Sequence, residues 1–149
     1  MQRIRIVLLV GLPGSGKSTY LLTVRRAGLS SDAVRGLLID DEADQSIHDR
    51  VFQTLRYLLR QRLALGRPLT YIDATNLTVL ERAPYIGIGK SYGAEVEALF
   101  FDVPLEVCLE RNRKRSRVVP EDALVRLATK LAPPTTLEGF DRVTRISAV

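Results

Sequence analysis

The sequence predicts an α/β fold: a central parallel sheet of about five strands, with helices on both faces and a basic lid. Three observations carry that prediction. An apolar, β-branched run (residues 4–10) leads into Gly11-Leu12-Pro13-Gly14-Ser15-Gly16-Lys17-Ser18, and the helix-like Thr19-Tyr20-Leu21-Leu22-Thr23-Val24 follows. Strand, glycine loop and helix thus come in the order that the pattern G-x-x-x-x-G-K-[ST] requires. Strand-like and helix-like segments then alternate along the chain, as right-handed crossovers in a parallel sheet demand. Finally, polar clusters fall at the expected carboxyl ends of successive strands, the edge where such sheets bind ligands.

The elements follow in order. Strand one is expected over residues 3–10, and the helix behind the glycine loop runs to about Arg26, with Gly28 as its left-handed end. Leu29-Ser30-Ser31-Asp32 reads as a short second strand ending at Ser31-Asp32, followed by one turn of helix over residues 33–36. Asp40-Asp41-Glu42-Ala43-Asp44 leads into a long helix over about 46–65. Its Ile47, Val51, Leu55 and Leu58, with Phe52, Leu59 and Leu63, recur every three or four residues and form one apolar face. Gly66 and Pro68 stop it, and the acidic run is expected to cap its positive end rather than to bind metal.

Residues 69–73 make a third strand that ends in Asp73-Ala74-Thr75-Asn76. A helix is expected over about 80–92, with Gly87 and Gly89 as candidate break points, and residues 95–102 form the fourth strand. Pro104 opens a helix over 104–112 at its first position, where a proline is tolerated. Pro120-Glu121-Asp122 starts another, with Leu124, Leu127 and Leu131 on one face and Pro133-Pro134 as its stop. Residues 142–146 make a short last strand.

Composition narrows the class. At 149 residues, 46% apolar and 26% charged, the chain is expected to be one globular domain spanning residues 1–149. No apolar run reaches the ~18 residues of a membrane span. Met1 leads almost at once into the first strand, which leaves no room for a cleavable signal peptide and predicts a cytoplasmic chain. The single Cys108 can form no internal disulfide, and its neighbours Leu105, Val107 and Leu109 place it in the core. The single His48 lies in a polar helix start, a solvated position. Net charge is +5, and 18 of the 22 basic residues are Arg. Arginine suits bidentate phosphate contacts, so the balance fits a polyanion partner as well as it fits a bias in amino-acid usage.

The glycine loop supplies the donor chemistry. The backbone of Gly14, Ser15, Gly16 and Thr19 would offer N–H groups to phosphates, Lys17 would reach the β/γ-phosphates of ATP, and Ser18 would hold Mg²⁺. Phosphoryl transfer further needs an acceptor, a base and positive charge. Asp32 is a candidate base or a helix cap. Arg35, three residues on, is a candidate ligand for an anionic group of the acceptor or a surface arginine. Asp73 stands where an acid near Mg²⁺ would, and Asn76 would orient the acceptor or the base, unless both are simply turn residues. Arg111, Arg113, Lys114, Arg115 and Arg117 put five positive charges into seven residues. That segment (about 111–119) reads as a lid over the triphosphate or as a solvated helix end.

Four motifs occur in order: residues 11–19, Ser31-Asp32-x-x-Arg35, Asp73-Ala74-Thr75-Asn76, and Arg111-Asn112-Arg113-Lys114-Arg115 with Val119-Pro120. Together with Arg35-Gly36-Leu37 and Asp40-Asp41-Glu42-Ala43-Asp44-Gln45-Ser46 they resemble the 5′-kinase module of polynucleotide kinases, above all that of bacterial RNA-repair kinase–phosphatases. The resemblance implies a P-loop kinase fold and an ATP- and Mg²⁺-dependent kinase acting on the 5′-OH ends of DNA or RNA. It implies that Lys17 and Ser18 bind ATP phosphates and Mg²⁺, that Asp32 is the general base, and that Arg35 grips the phosphate 3′ of the terminal nucleoside. Asp73 and Asn76 match the family's Asp-x-x-Asn turn on the acceptor side, while Arg111 and Arg115 match the lid arginines that contact ATP, Arg115 in a catalytic role. Two other readings stay open on the residues alone: a small-molecule kinase of the gluconate, shikimate or toxin-like type, and a nucleotide-dependent switch protein. The sequence sets no oligomeric state.

Overall fold

The first strand is the middle of the sheet. In a computed structural model that describes residues 3–147, β1 (Arg5–Val10) lies between β3 (Leu69–Asp73) and β4 (Glu95–Asp102). β2 (Leu29–Ser30) and β5 (Arg142–Ser147) form the edges, giving the all-parallel order β2-β3-β1-β4-β5. Leu8 pairs with Ile72 on one side and Ala98 on the other. A strand so flanked is buried on both faces, which is why its sequence is a continuous apolar run rather than an alternation.

The two faces are covered unequally. Ile6, Leu8, Val10, Ile72, Val96, Ala98 and Phe100 pack against Leu59 and Leu63 of α3 (His48–Ala64) and Tyr85, Ile86 and Ile88 of α4 (Val79–Ser91). The other face, with Val7, Leu9, Tyr71 and Phe101, is covered by Tyr20 and Leu21 of α1 (Lys17–Thr23) and by Val24 just beyond it. α2 (Ser31–Ile39) lies on α3 through Val34, Val51 and Leu55. At the carboxyl end of the sheet, α5 (Leu105–Arg113) and α6 (Glu121–Lys130) pack Cys108 and Leu124 onto Leu12, Leu77 and Val103. Those three residues belong to the connections that follow β1, β3 and β4. Helices α5 and α6 are therefore anchored on the connections that follow β1, β3 and β4, and Cys108 is a core residue with no exposed surface.

Several boundaries differ from expectation. The second strand stops at Ser30, whose hydroxyl accepts a hydrogen bond from the Ala33 N–H at 3.1 Å and so starts a nine-residue helix, not a single turn. Ser30 is thus the cap, and Asp32 lies in the first helical turn with its side chain free for other partners. The acidic run does not cap α3. Asp40 closes α2 in a left-handed conformation (φ 60°), while the Asp41 and Asp44 carboxylates accept from the N–H groups of Ala43 and Ser46 two residues on. The first-turn acid of α3 is Asp49, and His48 stacks on Phe52.

α4 is unbroken. Gly89 faces the sheet, where an added Cβ would collide with the Val96 side chain, so glycine there serves close packing and not a break. Pro104 precedes α5 as its cap residue rather than occupying its first turn. A short 3₁₀ turn (Thr136–Glu138), unforeseen in the sequence, precedes β5.

Candidate active site

The loop between β1 and α1 is a frame of backbone donors held open by a lysine. Gly14 takes φ 85° against α5, where a Cβ would sit 2.9 Å from the Cys108 carbonyl oxygen. Gly16 takes φ 104° and caps α1. Both conformations strain any residue with a side chain. Among the described residues, the N–H groups of Gly14, Gly16, Lys17, Ser18 and Thr19 meet no backbone carbonyl. Lys17 Nζ donates to the carbonyls of Gly11 (2.6 Å) and Leu12 (2.8 Å), which fixes the curvature of the loop. Removal from water lowers the Lys17 pKa to about 8; Asp73 opposes that shift and Arg115 adds to it. An ammonium so short of compensation is primed to bind an anion.

The acids and the serine beside the loop complete a phosphate site. Asp73, ending β3, has its pKa raised by burial and by Asp32 and lowered by Lys17. The buried Ser15 hydroxyl has no hydrogen-bond partner among the described residues. Ser18 is exposed in the first turn of α1. These residues fit a triphosphate with magnesium: a row of free donors, an unpaired hydroxyl at Ser15, an exposed hydroxyl at Ser18, and a carboxylate at Asp73 within electrostatic reach of Lys17. No three His, Cys, Asp or Glu side chains cluster among the described residues, so an ion here would draw most of its ligands from phosphate and water.

Across the rim stands a second polar group. Arg35 is 3% exposed, and its Nη1 donates to Asp32 Oδ1 at 3.0 Å and to the Glu42 carbonyl at 3.5 Å. Its Nε is buried with no partner. The other Asp32 oxygen accepts from Arg117 Nη2 at 2.7 Å, and Arg117 Nη1 reaches the Glu42 carbonyl at 3.0 Å. Asp32 is close enough to bias the charge of both Lys17 and Asp73.

The basic segment divides its arginines between these two groups. Arg111 Nη1 donates to the Gly14 carbonyl at 3.3 Å, and Arg115 has a buried, unpartnered Nη1. Arg113 turns away to Glu121 at 2.7 Å, and Lys114 to Glu110 at 3.7 Å. The segment is pinned at its neck by Asn112, fully buried, whose amide donates to the Val119 carbonyl (2.6 Å) while its Oδ1 accepts from the Val119 N–H (2.9 Å).

Asn76 lies inside the turn after β3. It is buried, at φ 50°, and its amide nitrogen is spent on the carbonyls of Leu9 (2.7 Å) and Ala74 (3.3 Å). That amide ties the turn after β3 to the end of β1. Sequence reasoning left Arg117 and Asn112 unselected. Only membership of the basic run marked Arg117, and nothing in its spacing separates it from Arg113.

A glycine loop of the G-x-x-x-x-G-K-[ST] pattern at the centre of a 2-3-1-4-5 parallel sheet, with Asp32 and the arginines of the basic segment on the same rim, defines a P-loop domain of the kinase kind. A family model described as an AAA domain (AAA_33) matches residues 6–134, and the chain belongs to that family. It is 32% identical over 111 residues to Transcription factor bHLH140 of Arabidopsis thaliana, covering 74% of this chain and 12% of that protein. It is 20% identical over 144 residues to L-seryl-tRNA(Sec) kinase of Methanococcus maripaludis, covering 91% and 56%. The chain thus spans about half or less of these relatives' lengths.

Solved structures share the fold. A protein of Chloroflexus aurantiacus superposes with a TM-score of 0.74 at 15% identity, covering 98% of this chain and 89% of that one. The APS kinase CysC of Mycobacterium tuberculosis, solved with AMPPNP and APS, gives 0.62 at 20%, covering 99% and 90%. Among the described residues, no helix is long and apolar enough to cross a membrane.

Proposed function

We propose that the chain transfers the γ-phosphoryl group of ATP to a hydroxyl acceptor, and that the acceptor is the 5′-OH end of a polynucleotide in the cytoplasm. The observation that carries this reading is Asp32: a carboxylate on the first turn of α2, held by two guanidiniums, within electrostatic reach of the phosphate-loop lysine. In the reaction Asp32 accepts the hydroxyl proton as the acceptor oxygen bonds to the γ-phosphorus. The bond from that phosphorus to the bridging oxygen breaks, and ADP leaves with the electron pair. Lys17 and the free loop N–H groups hold the phosphates, and Arg111 and Arg115 meet the charge that spreads over them. Magnesium held by Ser18 would neutralise phosphate charge. Arg35, with its spare Nε, would hold a phosphate of the acceptor.

The polynucleotide acceptor is supported by the ordered motifs, the basic lid and the net charge of +5. A small-molecule acceptor is favoured by one feature. An open surface groove of about 570 Å³ beside α2 is lined by Ala33, Gly36, Leu37, Asp40 and Glu42, and its two carboxylates repel a long polyanion.

Incubation with γ-labelled ATP and 5′-OH oligonucleotides of DNA and RNA tests the reading. Label on an oligonucleotide end, with transfer weakening steeply as salt rises, is the expected result. Label only on sugars or other small hydroxyl compounds selects the second reading. In either case Asp32→Asn should cut kcat by about 10²–10⁴-fold and leave the nucleotide Kd unchanged, since the base acts only in transfer.

A further inference from the structure

The last arginine of the basic segment faces the acceptor side, not the nucleotide. Asp32 is the only side-chain carboxylate bonded to Arg35 or Arg117 among the described residues, so two guanidiniums share one negative charge. Their remaining bonds go to one backbone carbonyl, that of Glu42. Arg35 is 3% exposed and keeps an Nε with no acceptor. A dehydrated guanidinium with an idle donor is costly. Cationic donors in excess of their carboxylate, one of them orphaned, make a seat for one further anion.

We infer that Arg117, together with Arg35, binds a phosphate group of the acceptor, and that Arg117 is drawn off Asp32 Oδ2 when it does so, releasing that oxygen for the acceptor hydroxyl. The inference rests on the phosphoryl-transfer reading and adds a division of labour within the lid. Arg111 leans on the donor loop through the Gly14 carbonyl, while Arg117 leans on α2 and the Glu42 carbonyl. Five residues separate them, on a segment closed by the Asn112–Val119 pair of hydrogen bonds. Filling one seat therefore steadies the segment over the other. Nucleotide should tighten acceptor binding, and acceptor should tighten nucleotide binding by the same factor.

Two arms test this. In the first, ADP saturates the donor loop and inorganic phosphate is titrated at matched ionic strength, with the thermal midpoint as readout. Wild-type protein and Arg126→Ala, a change on exposed α6 outside the site, should show the same half-effect concentration. Arg117→Ala should raise it about tenfold, the loss of one charge-assisted bond, and Arg117→Lys should fall between. An unchanged half-effect concentration in Arg117→Ala overturns the inference, as does one that shifts equally in Arg126→Ala.

In the second arm the acceptors are a nucleoside 3′-monophosphate and the matching nucleoside. Arg117→Ala should raise KM about tenfold for the first alone. Equal loss for both acceptors identifies Arg117 as a structural strap and overturns the inference. If neither acceptor nor any oligonucleotide is phosphorylated while the first arm still depends on Arg117, the polynucleotide reading fails and the anion seat stands.

Discussion

Arg82 and Arg35 are both buried arginines, and they are used in opposite ways. Arg82 spends every donor nitrogen. Its Nε and Nη2 bind the two oxygens of Glu138 at 2.8 and 3.0 Å, and its Nη1 donates to the carbonyls of Asn76, Leu77 and Ala132 at 2.9–3.1 Å. The partner carboxylate is itself only 8% exposed. Arg35 makes its bonds through one nitrogen, to a carboxylate that is 44% exposed, and leaves Nε idle. A guanidinium that holds a fold together has its hydrogen bonds saturated, because each missing one costs stability. A guanidinium that meets a ligand must keep capacity in reserve. Arg82 clamps the turn after β3, the end of α6 and the 3₁₀ turn before β5 from behind, whereas Arg35 opens toward the rim.

The largest effect should come from breaking the closed network. Arg82→Ala takes the guanidinium from the buried Glu138 carboxylate and leaves the carbonyls of Asn76 and Ala132 without their donor, which should cost about 3–5 kcal/mol in urea unfolding. Arg82→Lys should recover little of it, since an ammonium cannot span both Glu138 oxygens. Arg35→Ala should cost about 1–2 kcal/mol, because Asp32 keeps Arg117 and an idle donor is removed along with the used one. Yet it should raise the acceptor KM by at least about tenfold. Equal losses of stability in the two variants would break the contrast.

A smaller effect probes the hinge between the two regions. Asn112→Ala removes both bonds to Val119 and should cost about 1–2 kcal/mol, within the range for buried hydrogen bonds. The freed segment no longer presents Arg111, Arg115 and Arg117 together. KM for ATP and for the acceptor should therefore both rise severalfold, whereas Arg35→Ala should move only the acceptor's. A rise confined to ATP would show that Asn112 serves the donor side alone.

The sheet and the donor loop were legible because local sequence determines them. A strand buried on both faces must be apolar throughout, and a loop with φ 85° and φ 104° must place glycines at positions 14 and 16. Cys108 was legible in the same way, from its apolar neighbours. The start of α2 was not, because Ser30, Ser31 and Asp32 are all good caps and only the pairing of Ser30 with Asp73 decides among them. The misreading of the acidic run has a similar cause. Asp41 and Asp44 satisfy backbone groups within their own loop, and helix-end electrostatics loses to those shorter bonds. Arg82 and Arg117 could not be singled out at all. Their partners are 56 and 85 residues away, so their roles exist only once the chain has folded.

The finest test of the open region is a proton count at Lys17. Its pKa is about 8 in the protein without nucleotide, chiefly because it has lost water. The unfolded chain, with an ordinary lysine near 10.5, binds more protons between about pH 8 and 10.5, so this group's cost to stability is fully present below pH 8 and fades as pH rises through that window. Phosphates at Nζ act the other way and raise the pKa of the bound lysine. Near pH 8, where about half the free protein has lost the proton, ATP binding should take up about half a proton, and affinity should fall as pH rises further. Calorimetry at pH 8 in buffers of different ionisation enthalpy measures that uptake directly, once the proton exchange of ATP itself is subtracted. Lys17→Arg should abolish it, because an arginine stays charged throughout. Uptake that persists undiminished in Lys17→Arg would overturn the assignment of that proton to Lys17.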